Sequence, residues 1–385
     1  MLQIIKIRIV VFVLFLLVLG KIGLSQNIFE PSFLNDQYLK YDTLLYDFSI
    51  TDIVQRNEDL DNKIIKKRLD SLNTLTPLDI GYNDAVVDHI SFYLNQRRDL
   101  VANLLTLSNY YFPIFESILE KNELPHELKY IPIIESALNP NARSPMGAVG
   151  LWQFMYFTAK EHNLKINSYI DERKDTYKST QAACDYFKKS YNVFNDWELA
   201  IASYNAGRGS VTKAIRRSGG KLNYWELRPF LPKETQNYVP ALIASIYILN
   251  FAELHGVKPA ENTFFKLHKI DSVHLKRPVK IAHLAQILNI EQSLLGDLNP
   301  MYRVQLIPHL DDEKFPVFLP DYKWGVFLNN EDSIYVELEK LEETEELTYP
   351  IYTDIEKIKY KVKKGDYLGK IANRYNCRVS DIMQW

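Results

Sequence analysis

A mainly α protein, followed by a small α+β module and a further compact unit, is the fold class this 385-residue sequence predicts. Three observations carry that prediction. Apolar residues recur at three- and four-residue steps from about Asp84, the spacing that lines one face of a helix. No convincing alternation of apolar and polar residues interrupts 84–256. After "HGVKP" (His255 to Pro259) the texture changes to short helical patterns and a strand bounded by prolines.

Composition narrows the function classes. Apolar residues at 46% and charged residues at 24% are ordinary for a globular chain, and the length suffices for two or three domains. A formal charge of −2 gives no reason to expect nucleic acid. The 25 Tyr, 19 Phe and 5 Trp supply faces that can stack on sugar rings, although most such residues fill cores. Eight scattered histidines show no ligand spacing, and "PHELKY" lacks the second His of a zinc motif, so neither a metal nor a cofactor is expected. Cys184 and Cys377 fall in different segments and imply no disulfide framework.

Taken in order, residues 1–25 read as a signal peptide. Lys6 and Arg8 precede an apolar run from Ile9 to Leu19, and Gly23-Leu24-Ser25 offers small residues before a cut at Gln26. The run is short for a membrane span, an uncleaved anchor in the membrane being the alternative. No cysteine near Ser25 supports lipidation. An exported protein, periplasmic or associated with the cell envelope, follows. Residues 26–83 form an irregular or partly helical lead-in. In 84–256, Val87, Ile90 and Leu94, then Leu100, Leu104 and Leu107, mark helices. Asn122 is a helix end and Pro125 the first residue of the next helix. The 260–330 module holds two short helical patterns between Pro278 and Pro300 and a strand in "FPVFLP" (Phe315 to Pro320). Residues 331–358, including the acidic "ELEKLEETEE", read as a solvated linker, and 359–385 as the final unit.

The chemistry centres on "ESALNPNARSPMGAVGLWQFM" (Glu135 to Met155). If 126–135 is helical, Leu128, Ile131 and Glu135 share one stripe, which puts an acid on an apolar face. Desolvation raises the pKa of such a carboxyl, and a protonated carboxyl in a cleft is what a general acid requires. A surface Glu at a fraying helix end is the plainer reading. Asn139-Pro140 stops the helix, Gly147 and Gly150 permit tight turns or close approach, and Trp152 to Met155 start a new helix. Gln153 suits the orientation of a ligand hydroxyl or carboxyl, or serves as a simple hydrogen-bond partner.

The stretch resembles the active-site signature of the lytic transglycosylases of glycoside hydrolase family 23, which have a goose-type lysozyme fold. Their Glu-Ser, Asn-Pro and Ser-x-x-Gly-Ala-x-Gly-Leu-Trp-Gln-Phe pattern is met almost position by position. "SYNAG" (Ser203 to Gly207) is similar to their Ala-Tyr-Asn-Ala-Gly block, with Ser203 for the usual Ala. "ETQNYVP" (Glu234 to Pro240) matches a third block. The resemblance implies a lysozyme-like helical catalytic domain at 84–256, with Glu135 as the lone catalytic acid/base. It implies substrate-binding roles for Ser136, Gln153, Phe154, Met155, Tyr204, Asn205 and Tyr238, a shaping role for Gly150 and a structural one for Glu234. The implied substrate is a peptidoglycan glycan strand. The implied reaction cleaves the bond between N-acetylmuramic acid and N-acetylglucosamine and leaves a 1,6-anhydro end. A lysozyme-like hydrolase and a non-catalytic peptidoglycan-binding scaffold are the alternatives.

"YKVKKGDYLGKIANRYNCRVSDIMQW" (Tyr360 to Trp385) resembles the start of a LysM module, with Tyr367 where the family has Thr or Ser. Tyr360 to Val362 would be its first strand. Leu368, Ile371, Ala372 and Tyr375 would line a first helix, and Val379, Ile382 and Met383 a second. The sequence stops before the closing strand, so a partial βααβ unit is expected. Across 84–385 the order of parts resembles the membrane-bound D type of lytic transglycosylase, and the 260–330 module resembles a degenerate LysM.

Overall fold

A computed structural model describes residues 61–261, 269–309, 313–343, 360–363 and 365–375, together with Val379 and Ile382. The expected signal peptide, most of the lead-in, the second half of the linker and Cys377 lie outside the described residues.

Helix α1 (Asn62–Asn73) starts where the Asp61 side chain accepts from the Lys63 amide at 2.8 Å. Its Ile65 and Leu69, four residues apart, are buried in the first core. The end of the lead-in is therefore part of the helical domain, and Arg68 ties it down by donating to the Tyr247 hydroxyl at 3.0 Å. Helix α2 (Asp84–Gln96) is capped by Asn83, and α3 (Arg98–Lys121) follows a break at Arg97. All six apolar residues that marked this region are buried. Asn122 ends α3 as expected, but Pro125 caps a 3-10 turn at His126–Tyr130 instead of starting a helix.

Short α4 (Ile131–Ser136) and α5 (Tyr156–Glu161) flank a long turn-rich loop. Then come α6 (Thr176–Phe194), α7 (Trp197–Ala206), α8 (Arg208–Arg217), α9 (Tyr224–Leu227) and α10 (Lys233–Phe251). α10 is apolar nearly all round because it lies at the centre of the core, packed against α2, α7 and α4. By length and composition it could cross a membrane, yet most of it is buried in the protein.

The second unit has its own core. Strand β1 (Ile270–His274) pairs antiparallel with the proline-bounded β4 (Pro316–Pro320), and β2 (Val279–Lys280) pairs with β3 (Leu306–Ile307). Between β2 and β3 run α11 (Ile281–Leu288) and α12 (Gln292–Leu298), so the inner part is a βααβ unit. Helices α13 (Asp321–Asn329) and α14 (Glu331–Glu343) follow. α14 corrects the expectation of a linker from residue 331. Its Ile334 and Leu338 are buried in the module's core, and Arg277 pairs with Glu342. Acidic residues occupy the outer face of this helix, and the buried stripe beneath them is only two residues wide.

The two units share a seam. Ile170 bridges to Tyr302, the Asp171 amide donates to the Met301 carbonyl at 2.9 Å, and the Tyr177 ring stacks on Phe318 with centroids 5.6 Å apart. In the last unit, Tyr360 to Val362 is not a strand, since no partner strand is present among the described residues to take its backbone bonds. α15 (Leu368–Arg374) does form, with Ala372 inward.

Candidate active site

Glu135 sits one residue before the end of α4, and the helix stops sooner than the proline suggested. Ala137 and Leu138 are left-handed, with φ of 51° and 61°. The Leu138 amide turns back to the Pro132 carbonyl at 3.1 Å, the closure that usually uses glycine. A left-handed residue with a β-carbon costs about 1 kcal/mol, so surrounding contacts must impose it. Ser136 is one of them: its hydroxyl lies 2.9 Å from the Leu151 carbonyl and 3.0 Å from the Pro132 carbonyl. It thus joins the acid's helix to the loop opposite.

That loop is held from outside. Gly150 has φ of 87°, and a β-carbon there would stand 1.9 Å from the Arg173 carbonyl oxygen, so only glycine fits. The Arg173 guanidinium reaches the Gly147 and Phe154 carbonyls at 3.1 and 3.3 Å while Asp171 grips it at 2.8 and 2.7 Å. Trp152 is fully buried and donates to the Thr180 hydroxyl at 2.9 Å, so it anchors the loop in the core. No helix starts at Trp152. Residues 151–153 form a turn, Gln153 is left-handed with φ of 47°, and α5 begins after Met155.

The side chains named from the sequence divide into three groups. Tyr238, on α10, donates to the Glu135 carboxyl. Burial pushes the Glu135 pKa up to about 8; the Tyr238 bond offsets part of that and the nearby Glu234 carboxylate adds to it. Burial beside Glu135 also raises the Tyr204 and Tyr238 phenols, so both remain neutral donors. Tyr204 donates to the Trp152 carbonyl at 2.7 Å and stacks on Phe187.

Asn205 and Gln153 are each held by neighbouring groups of the protein. The Asn205 amide is oriented by the Thr235 hydroxyl at 2.7 Å and donates to Glu234 at 2.6 Å, linking α7 to α10. Gln153 is buried, and its amide nitrogen donates to the Ala142 and Gly150 carbonyls. Its Oε1 is buried without a hydrogen-bond partner from the protein.

The remaining two stand apart. Phe154 is 2% exposed and packs beneath the site against Tyr204 and His162, whereas Met155 is 43% exposed at the rim. The brace of Asp171 and Arg173 was missed in the sequence. No spacing ties them to Glu135, and a buried Arg between acids reads as a surface charge cluster.

Among the described residues no group of His, Cys, Asp and Glu could hold a metal. The chemistry on offer is proton transfer by a carboxyl that is protonated near neutrality, supported by neutral phenol and amide groups.

Comparison with known proteins agrees with this architecture. Residues 112–226 match the transglycosylase SLT domain, 269–336 the LysM-like domain of lytic transglycosylase MltD, and 360–385 the LysM domain. The chain is 30% identical over 310 residues to a membrane-bound lytic murein transglycosylase D of Escherichia coli K12, covering 80% of this chain and 66% of that protein. It is 31% identical over 159 residues to a soluble lytic murein transglycosylase of the same strain, covering 39% of this chain and 24% of that protein. A solved structure, the 70 kDa soluble lytic transglycosylase SLT70 from Escherichia coli, aligns over 57% of this chain and 44% of its own, at 18% identity and a TM-score of 0.33.

Proposed function

We propose that this chain, which belongs to the lytic murein transglycosylases carrying the SLT domain, cleaves the β-1,4 bond between N-acetylmuramic acid and N-acetylglucosamine and leaves a 1,6-anhydro end. One observation carries the reading: Glu135 is a carboxyl with a pKa of about 8, fixed in direction by Tyr238. Near neutral pH it holds the proton that the leaving oxygen needs.

The steps balance without water. The Glu135 O–H protonates the glycosidic oxygen as its bond to C1 of muramic acid breaks. The oxygen of the sugar's own 6-hydroxyl then bonds to C1, and its proton goes to the Glu135 carboxylate, which restores the acid. Attack from within the same sugar gains the advantage of a reactant already in place. Tyr238 orients the Glu135 carboxyl, and Tyr204 and Gln153 take the substrate-binding roles that their motif positions imply. Ser136 and Asn205 act by positioning, and Met155 offers an apolar edge at the rim. A signal segment at residues 1–25 would deliver the chain to the cell envelope, where this substrate lies.

Glu234 favours a second reading. Its exposed carboxylate is close enough to raise the Glu135 pKa, and Asn205 holds it in place. Two carboxylates are the equipment of an ordinary glycosidase, one of them activating water. Mass analysis of products from purified sacculi separates the readings. Anhydro products are expected; products one water heavier, together with loss of turnover in Glu234→Gln, would establish hydrolysis instead.

A further inference from the structure

The seam between the helical domain and the LysM-like module carries an open pocket of about 640 Å³, within the range of roughly 300–1,000 Å³ of ligand sites. Asn141 and Lys174 form one wall; Gln292, Asp297, Arg303 and Gln305 belong to the other. The site exists only where the two units meet. Asn141 lies on the loop that follows Glu135, next to the Ala142 carbonyl that holds Gln153, so pocket and cleft share one piece of backbone.

Its positive charge is only partly balanced from within, by Asp171 behind Lys174 and Asp297 on the opposite wall. The half-buried Lys174 ammonium donates to the Asn141 amide oxygen at 3.0 Å, a neutral partner. A lysine has further N–H donors to give; burial disfavours this ammonium, Asp171 offsets part of that, and Arg303 and Arg143 repel it from nearby. Neither arginine has an acid partner among the described residues. Asp297 is the carboxylate on the opposite wall and has an interaction of its own. Gln305 is left-handed, with φ of 54°, a conformation imposed on the residue at the pocket rim. Three side-chain amides, from Asn141, Gln292 and Gln305, can both donate and accept, as a peptide backbone does.

We propose that this pocket binds the short acidic peptide that branches from a peptidoglycan strand, with Lys174 and Arg303 taking its carboxylate. The proposal rests on the lytic reading above for its substrate. The peptide's amides face Asn141, Gln292 and Gln305, and an amine on the peptide would face Asp297. The LysM-like module thereby supplies half of a substrate site.

Titration calorimetry of the full chain with a synthetic sugar-free stem tetrapeptide tests it, alongside cleavage rates on peptide-bearing and peptide-stripped strands. The parent should bind the tetrapeptide saturably, and affinity should fall at high salt. Arg303→Glu, at an exposed position, and Lys174→Gln should each weaken binding about tenfold or more. The ratio of rates on bearing over stripped strands should fall with Arg303→Glu. If the tetrapeptide binds Arg303→Glu as tightly as the parent, or acetate binds the parent as well as the tetrapeptide does, the proposal is overturned. If the parent cleaves neither strand while tetrapeptide binding still responds to Arg303→Glu, the lytic reading fails and the peptide site stands.

Discussion

The loop around Glu135 and the LysM-like module are built on opposite rules. In the module, β2-α11-α12-β3 follows its own hydrophobic pattern, and most backbone follows local preference. Around Glu135, an alanine, a leucine and a glutamine are left-handed, a glycine is mandatory, and a buried arginine from 171–173 holds the turn carbonyls. Where local preference and tertiary contacts disagree, the contacts have prevailed, and that is where the acid lies. The module was built to fold, the loop to hold one carboxyl out of water.

The largest test of that contrast is chemical. Glu135→Gln keeps the shape of the protonated acid and removes its proton, so release of soluble fragments from sacculi should fall about 10²- to 10⁴-fold. A variant as active as its parent would remove Glu135 from the chemistry and leave a binding scaffold.

Two glycine substitutions come next. Gly150→Ala drives a β-carbon into the Arg173 carbonyl at positive φ, and should cost about 3 kcal/mol or more in denaturant unfolding. Gly325→Ala, within α13 and facing open space, should stabilise the module by about 0.5–1 kcal/mol. Equal costs at the two sites would erase the contrast.

The pH dependence of stability is a smaller effect. The pKa of Glu135 is raised in the folded state from an ordinary 4.5 to about 8. The folded state therefore holds the proton more tightly than the unfolded chain. That contribution is complete below pH 4.5 and is lost as pH rises through 8. Gln at 135 cannot ionise, so relative to the parent Glu135→Gln should gain stability above pH 8, by a few kcal/mol. The two should melt alike at pH 4. The rate should also decline above about pH 8, as the acid form disappears.

The smallest effect tests the last unit. Tyr367 caps α15 with no side-chain bond and is 69% exposed. Tyr367→Thr should add about 0.5–1 kcal/mol of helix stability, seen as slower amide exchange in Leu368–Arg374.

Much of this was legible one residue at a time. The apolar period from Val87 to Leu107 marked buried faces because a 3.6-residue turn repeats regardless of what packs on it. The proline-bounded strand and the two module helices were legible for the same local reason. Glu135, Tyr238, Gln153, Tyr204 and Asn205 were named from ordered motifs, because such motifs carry residue identity. Their geometry was not legible. Phe154 fell beneath the site, Ser136 turned to backbone carbonyls, and α14 joined a core that its acidic letters concealed.

By itself the sequence determined that Val87 to Leu107 is helical with a buried face, that a proline-bounded strand follows the helical domain and that Glu135 stands near a helix end. Only the tertiary structure decided that α4 ends at Ser136 instead of Asn139, that Arg173 braces the loop and that the module shares an open pocket with the helical domain. It also decided how far the Glu135 pKa rises. The first set depends on neighbours three or four residues apart. The second depends on α10, α6 and the seam, distant in sequence, whose packing supplies the desolvation and the contacts that local preference cannot.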